Sequence, residues 1–395
     1  VVDAPVPTPS TPIEWLCRLT EPARCAAGPL PKTRAALSGL AAGTRRAPVR
    51  IMWFGDSLVM GDHVTGDLRE ALQARLGDGG HGFHFIGNPS HRPGARGVQV
   101  TTSDRWEVTT VVRTLSRGQS LGLGGASFEA RAGEGPTVTM SVDDPARFRR
   151  LAVLAIPGMG GSSFAVRDGS GRRQVALDGA ARSGSVTWVD VDASRPVTVS
   201  GLGQGVRWHG VSIESGTPGV IVDNLGMVSS ELSDMLKIDR VTWAEQARAL
   251  SPTLMVFQYG ANVAWQGAST SAASRLRERS REWLTRVRED VPETECLVVG
   301  MLTRGDWVDG EARVRRSVAQ VVQIQRETAL EAGCAFWSAF DAAGGFAGVE
   351  RWRQEGKLGG DLSHPTRAGY TFLAENFRRA LMHAWLGPFA LTGPR

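Results

Sequence analysis

From about Val98 to Gly219 the chain shows hardly any helical period, whereas on both sides of that stretch strands and helices alternate. Few folds accommodate such an interruption. Within it, short alternating segments recur ("VTTVVRTL", "PTVTMSV", "RRLAVLAI", "SVTWVDV", "PVTVSGL", "VRWHGVSIES"), separated by Gly, Asp, Pro and Ser. That pattern predicts an all-β sandwich or jelly roll. Upstream, "VRIMWFG" is a short apolar run and reads as a buried strand. Val64, Leu68, Leu72 and Leu76 then mark a helix that stops at glycines, and "GFHFIG" is a further strand. Downstream, "GVIVDNLG", "TLMVFQYGAN", "CLVVGML" and "CAFWSAF" read as strands. Helices are expected in "WAEQARAL" and over Ser271–Glu289, Glu311–Glu331 and Thr366–Trp385. The expected fold is therefore α/β, a three-layer open parallel sheet, with the β-sandwich inserted into it. The divisions are an N-terminal arm over 1–47, a discontinuous α/β domain over 48–97 and 220–395, and an inserted β domain over 98–219.

Composition narrows the function classes. No apolar run is long enough to span a bilayer. The net charge is +5, carried by scattered Arg, with Lys only at Lys32, Lys237 and Lys357. Without a dense basic block, a nucleic-acid partner is not expected. Cys17, Cys25, Cys296 and Cys334 lack zinc-ligand spacing. A local Cys17–Cys25 disulfide would suit an exported protein, while Cys296 and Cys334 read as two buried thiols. The opening "VVDAPVPTPSTP" suggests a mature start with its targeting segment removed. The expectation is an exported, periplasmic or extracellular protein. Neither the oligomeric state nor the Cys17–Cys25 pairing can be read from the sequence.

In open α/β sheets, sites form beyond the carboxyl ends of the strands. The polar residues there form a hydrolase parts list. Gly55-Asp56-Ser57 ends the first strand, Asn224-Leu225-Gly226 the next, and Gly260-Ala261-Asn262 another; "GGDLSHPTRAGY" precedes the last helix. A serine hydroxyl needs a base, which His364 can be. Asp361, three residues earlier, can hold its tautomer. Ser57 N–H, Gly226 N–H and the Asn262 amide could form an oxyanion hole. Asp56 is expected to satisfy backbone amides in the turn. Each piece alone is an ordinary turn or helix lead-in; four in order at strand ends are not.

These four blocks resemble those of the SGNH (GDSL-type) hydrolases. The resemblance covers roughly 48–97 and 220–388. It implies Ser57 as nucleophile, His364 as base and Asp361 as orienting acid, with Ser57, Gly226 and Asn262 as oxyanion donors. No cofactor and no metal is implied. The α/β half split by a β-rich insertion, with "FWSAFDAAGG" ahead of "DLSHPTRAGY", resembles bacterial peptidoglycan O-acetylesterases, in which a carbohydrate-binding-like β domain is inserted.

Other residues are weighed on position. His63 reads as a helix-face residue, with the alternative that it rims the pocket as a candidate substrate contact. Trp265 and Gln266 follow Asn262 and are candidate substrate contacts. Trp106, Trp188 and Trp208 could stack on sugar or fill the sandwich core. His81, His84 and His91 match no standard metal spacing. The expected activity is removal of O-acetyl groups from a polysaccharide, peptidoglycan foremost. The alternatives are an O-acetyltransferase with the same triad and a non-catalytic polysaccharide-binding protein.

Overall fold

The computed structural model describes residues 11–16, 27–89, 94–131, 135–158, 162–179, 183–203, 205–265 and 269–387. Cys17, Cys25, His91 and Gln266 lie outside these residues.

The first strand, Val49–Gly55, is buried along its whole length. Its residues alternate between two cores. Val49, Ile51 and Trp53 join a cluster with the first and last helices, where Trp53 meets Phe377 edge-on at 4.7 Å. Met52 and Phe54 join the other cluster, where Phe54 stacks on Phe257. A strand buried on both faces belongs inside a helix-covered parallel sheet. That sheet has five parallel strands in the order Val220–Gly226, Val49–Gly55, Leu254–Gln258, Glu295–Gly300, Ala335–Ser338. The chain steps one way from the first strand to the second and the other way to the third. The first strand thus borders the switch point where doubly wound sheets open a crevice.

The β region forms two antiparallel sheets. One contains Ser185–Asp190, Arg150–Ile156, Arg207–Glu214, Ala126–Ala130 and Trp106–Thr110; the other runs Val98–Thr102, Val138–Val142, Val197–Ser200, Ser163–Asp168, Gly171–Ala176. Trp208 of the first sheet meets Phe164 of the second edge-on at 6.1 Å. The strand Gly80–His84, which lies on the α/β side of a boundary at 97, pairs antiparallel with Arg207–Glu214. A division of the sequence at 97 is therefore not a division between sheets. The β region also shares one continuous core with a face of the parallel sheet.

Charge joins them too. Arg50, in the first strand, forks to Asp223 (2.8 and 3.0 Å) in the neighbouring strand and reaches Glu214 and Ser212 in the β region. Asp223 also accepts the Phe83 amide at 2.8 Å. All three charged side chains are buried.

Two expectations are corrected. The helix expected over Glu311–Glu331 begins only at Ser317. Glu311–Val314 pairs instead with Gly305–Val308 as a hairpin. Its turn, Asp309-Gly310, has φ of 52° and 81°, the left-handed pair that a two-residue hairpin demands. Cys296 and Cys334 are not thiols but a disulfide: Cys296 lies in the strand Glu295–Gly300 and Cys334 directly precedes the neighbouring strand Ala335–Ser338, with Cα atoms 4.8 Å apart. Among the described residues no helix is long and apolar enough to cross a membrane.

Candidate active site

The first strand ends at Gly55, and a tight turn feeds the short helix Ser57–Met60. A side chain at Gly55 would collide with Val59 and the Gln258 carbonyl, so only glycine lets the helix fold back here. Asp56 caps that helix, with Oδ1 accepting the Leu58 amide at 3.0 Å. Asp56 is fully buried. Burial pushes its carboxyl up to about 6, against the Leu58 amide, the His364 charge and the Ala261 amide. The turn leaves Ser57 at the carboxyl edge of the sheet.

His364 arrives from a loop just ahead of the last helix. Asp361 sets the geometry of that loop. Its Oδ1 accepts the backbone amides of Ser363 and His364, both at 3.0 Å, and its Oδ2 meets His364 Nδ1 at 2.6 Å. The three-residue spacing lets one carboxylate fix both the backbone and the ring. Leu362 between them is left-handed (φ 53°) and buried. Its carbonyl accepts the Gly305 amide at 2.8 Å, which ties the loop to the hairpin. Burial raises the Asp361 pKa, but the His364 ring and the two amides outweigh it and hold the group below the usual carboxylate range.

Ser57 Oγ lies 2.8 Å from His364 Nε2. An ionised carboxylate only accepts, so Nδ1 carries the ring proton toward Asp361. In the neutral ring Nε2 is then an acceptor, and the Ser57 hydroxyl donates to it. This is the arrangement that turns a weak nucleophile into an attacking one.

The three expected oxyanion donors are not equally placed. Gly226 N–H donates to the Asn224 side chain at 3.0 Å and is occupied. As a proposed oxyanion donor, Gly226 would exchange this contact for the substrate oxygen. Glycine is required there because the helix Ser57–Met60 passes directly over it, and a Cβ would run into the Met60 backbone. Asn224, which the sequence did not single out for this, ties that helix to the next one, donating to Val59 O (2.7 Å) and to Thr65 Oγ1 (2.9 Å) of His63–Leu76. Asn262 begins within the short helix Ala261–Trp265 and gives one amide hydrogen to Ser230 O at 3.0 Å. Among the described residues its second amide hydrogen has no acceptor and can serve a ligand.

His63 opens the helix His63–Leu76 and packs its ring 4.8 Å from Tyr370. The fields of Asp56 and Asp361 reach Tyr370, so this pair stands beside the triad. Trp265 is 60% exposed at the end of the Asn262 helix. Trp106 and Trp208 are buried in the β core, and Trp188 lies under Arg150 at 4.3 Å, so the three do not form an open platform. Among the described residues no group of three or more His, Cys, Asp or Glu is arranged to hold a metal.

A family model described as "GDSL-like Lipase/Acylhydrolase family" matches residues 169–372, more than half of the chain. The chain belongs to this family and is a carboxylic ester hydrolase of the SGNH type. The matched span holds Asn262, Asp361 and His364; Ser57 lies ahead of it, across the β insertion. A solved structure described as "Peptidoglycan O-acetylesterase in action, 5 min" is similar in fold at TM-score 0.77 and 22% identity, over 91% of this chain and 97% of that one. An acetylxylan esterase from Geobacillus stearothermophilus, solved as a catalytic mutant, aligns at TM-score 0.31 and 22% identity, over 41% of this chain and 73% of that one. A family two carbohydrate esterase from Cellvibrio japonicus aligns at TM-score 0.29 and 10% identity, over 73% and 99%. Among curated proteins, none matches in sequence.

Proposed function

We propose that the protein is an exported serine esterase that removes O-acetyl groups from a polysaccharide, peptidoglycan foremost, through an acetyl-Ser57 intermediate. The observation that carries this reading is the Ser57–His364–Asp361 chain of hydrogen bonds, 2.8 and 2.6 Å, with the ring proton held on the Asp361 side. Ser57 Oγ attacks the acetyl carbonyl carbon while His364 Nε2 takes its proton. The Ser57 amide and the free Asn262 hydrogen face the developing oxyanion; one such donor contributes about 3 kcal/mol in the transition state. His364 then protonates the leaving sugar oxygen. Water, deprotonated by the same nitrogen, attacks the acetyl-enzyme and releases acetate.

Three further observations support the polymer and its compartment. Asp361 and His364 side chains are 53% and 48% exposed, an open setting that a long chain can reach. The peptidoglycan O-acetylesterase structure shares the fold across nearly the whole chain, including the β region, which we take as an inserted carbohydrate-binding-like unit over 98–219. The Cys296–Cys334 disulfide fits an oxidising compartment outside the cytosol.

The test is acetate release from O-acetylated peptidoglycan against acetylated xylan, with p-nitrophenyl acetate as a general ester. Faster release from xylan overturns the peptidoglycan assignment. Acetate appearing on an added oligosaccharide, not free, would make the protein a transferase with the same triad.

A further inference from the structure

We infer that Arg304 and Trp265 form a subsite beside the triad that reads a carboxylate on the sugar carrying the acetyl ester. The inference rests on the esterase reading above and adds the charge class of its substrate.

The Trp265 ring stands between two guanidinium groups, with Arg304 Cζ 4.3 Å and Arg315 Cζ 4.6 Å from its centroid. The two cations are not equivalent. Arg315 is neutralised by Asp306, Nε to Oδ2 3.0 Å, and also donates to Trp265 O at 3.2 Å. Arg304 forms no ion pair among the described residues; its one hydrogen bond there is a 3.3 Å contact to Ala261 O. It is only partly exposed, so burial and the nearby Arg315 charge both bear against it. Its geometric tie to the site is the Ala261 carbonyl, in the residue next to Asn262, and the charges of Asp361, Asp306 and Asp56 partly offset its burial.

A guanidinium held by a ring, with most of its donors unused, is matched to a planar acceptor bearing negative charge. The adjoining indole is 60% exposed, and the surface its two cations leave uncovered adds apolar contact for a sugar. Trp265 sits one helical turn from Asn262, and Arg304 donates to the carbonyl of Ala261 next to it; the Asn262 amide faces the reacting ester in the mechanism above. An acetylated sugar whose carboxyl is free, such as a muramic acid bearing no peptide, therefore completes a contact that a neutral one leaves open.

The experiment compares two esters that differ by one carboxylate, 6-O-acetyl-N-acetylmuramic acid and 6-O-acetyl-N-acetylglucosamine. The full chain is tested as wild type, Arg304→Gln and Arg304→Lys. Wild type is expected to favour the acidic sugar by at least about tenfold in kcat/KM, an advantage that shrinks with added salt. Arg304→Gln is expected to bring the ratio near one through loss on the acidic sugar, and Arg304→Lys to keep part of it. A wild type without preference, or an Arg304→Gln variant that keeps the wild-type ratio, overturns the subsite alone. No hydrolysis of p-nitrophenyl acetate by wild type overturns the esterase reading and the subsite with it.

Discussion

Two clusters of charge sit at opposite ends of the same pair of strands. Near the start, Arg50, Asp223 and Glu214 are sealed, with side chains 2%, 0% and 4% exposed. Beyond the end, the His364–Asp361 pair beside Ser57 is half exposed. Buried charge is tolerated only when every group is matched, and removing one member strands the others. The first cluster therefore holds the parallel sheet to the β region and does no chemistry. The second, in the proposed mechanism, moves a proton in an open setting. Sealed charge should govern stability, and open charge should govern rate.

The largest expected effect separates the two at once. Ser57→Ala should lower ester hydrolysis by about 10⁴-fold or more, leaving the thermal midpoint within a few degrees. Retained turnover would sink the proposed nucleophile. Asp361→Asn should cost about 10²–10⁴ in kcat by favouring the wrong tautomer, again without loss of fold. Arg50→Met works the other way. It leaves two buried carboxylates unmatched and should cost about 3–5 kcal/mol in urea unfolding, while the folded fraction keeps its kcat. If Arg50→Met unfolds at the wild-type midpoint, the sealed cluster is not the bolt described above.

The smallest effect concerns Asp56, which blurs the comparison: it is sealed like the first cluster yet lies beside Ser57. Its folded pKa of about 6 is raised above the ordinary 3.8. The folded state thus binds the proton more tightly, and stability falls as pH rises from about 4 through 6. A shift of roughly two units corresponds to about 3 kcal/mol. Asp56→Asn should flatten that slope, read as unfolding midpoints at pH 4 and pH 8. An unchanged slope would show that Asp56 ionises without cost.

The two ends also differed in how well the sequence announced them. Ser57, Asn262, Asp361 and His364 were legible because strand-end chemistry follows short local patterns, and because apolar runs marked the strands. Arg50 was in plain view within "VRIMWFG", yet its partners lie 162 to 173 residues away, and no local pattern announces them. Gly226 was legible as a necessary glycine but not as to why. Packing under the helix Ser57–Met60 and donating to an oxyanion call for the same residue, so the glycine alone does not tell the two apart. The hairpin before Ser317 did carry a signal in Asp309-Gly310; the charged residues after it match a helical period well enough to hide it. The Cys296–Cys334 bond joins one strand to the lead-in of its neighbour across 38 residues, a closeness that strand order creates and composition does not show.

The distance along the chain between Ser57 and His364 is 307 residues. At ribosomal speeds of about 5–20 residues per second, the serine emerges roughly 15 to 60 seconds before its base exists. During that interval the hydroxyl is no more reactive than any other in the cell. In the proposed esterase, synthesis order thus acts as a safety catch, released only when the loop that carries His364 is made.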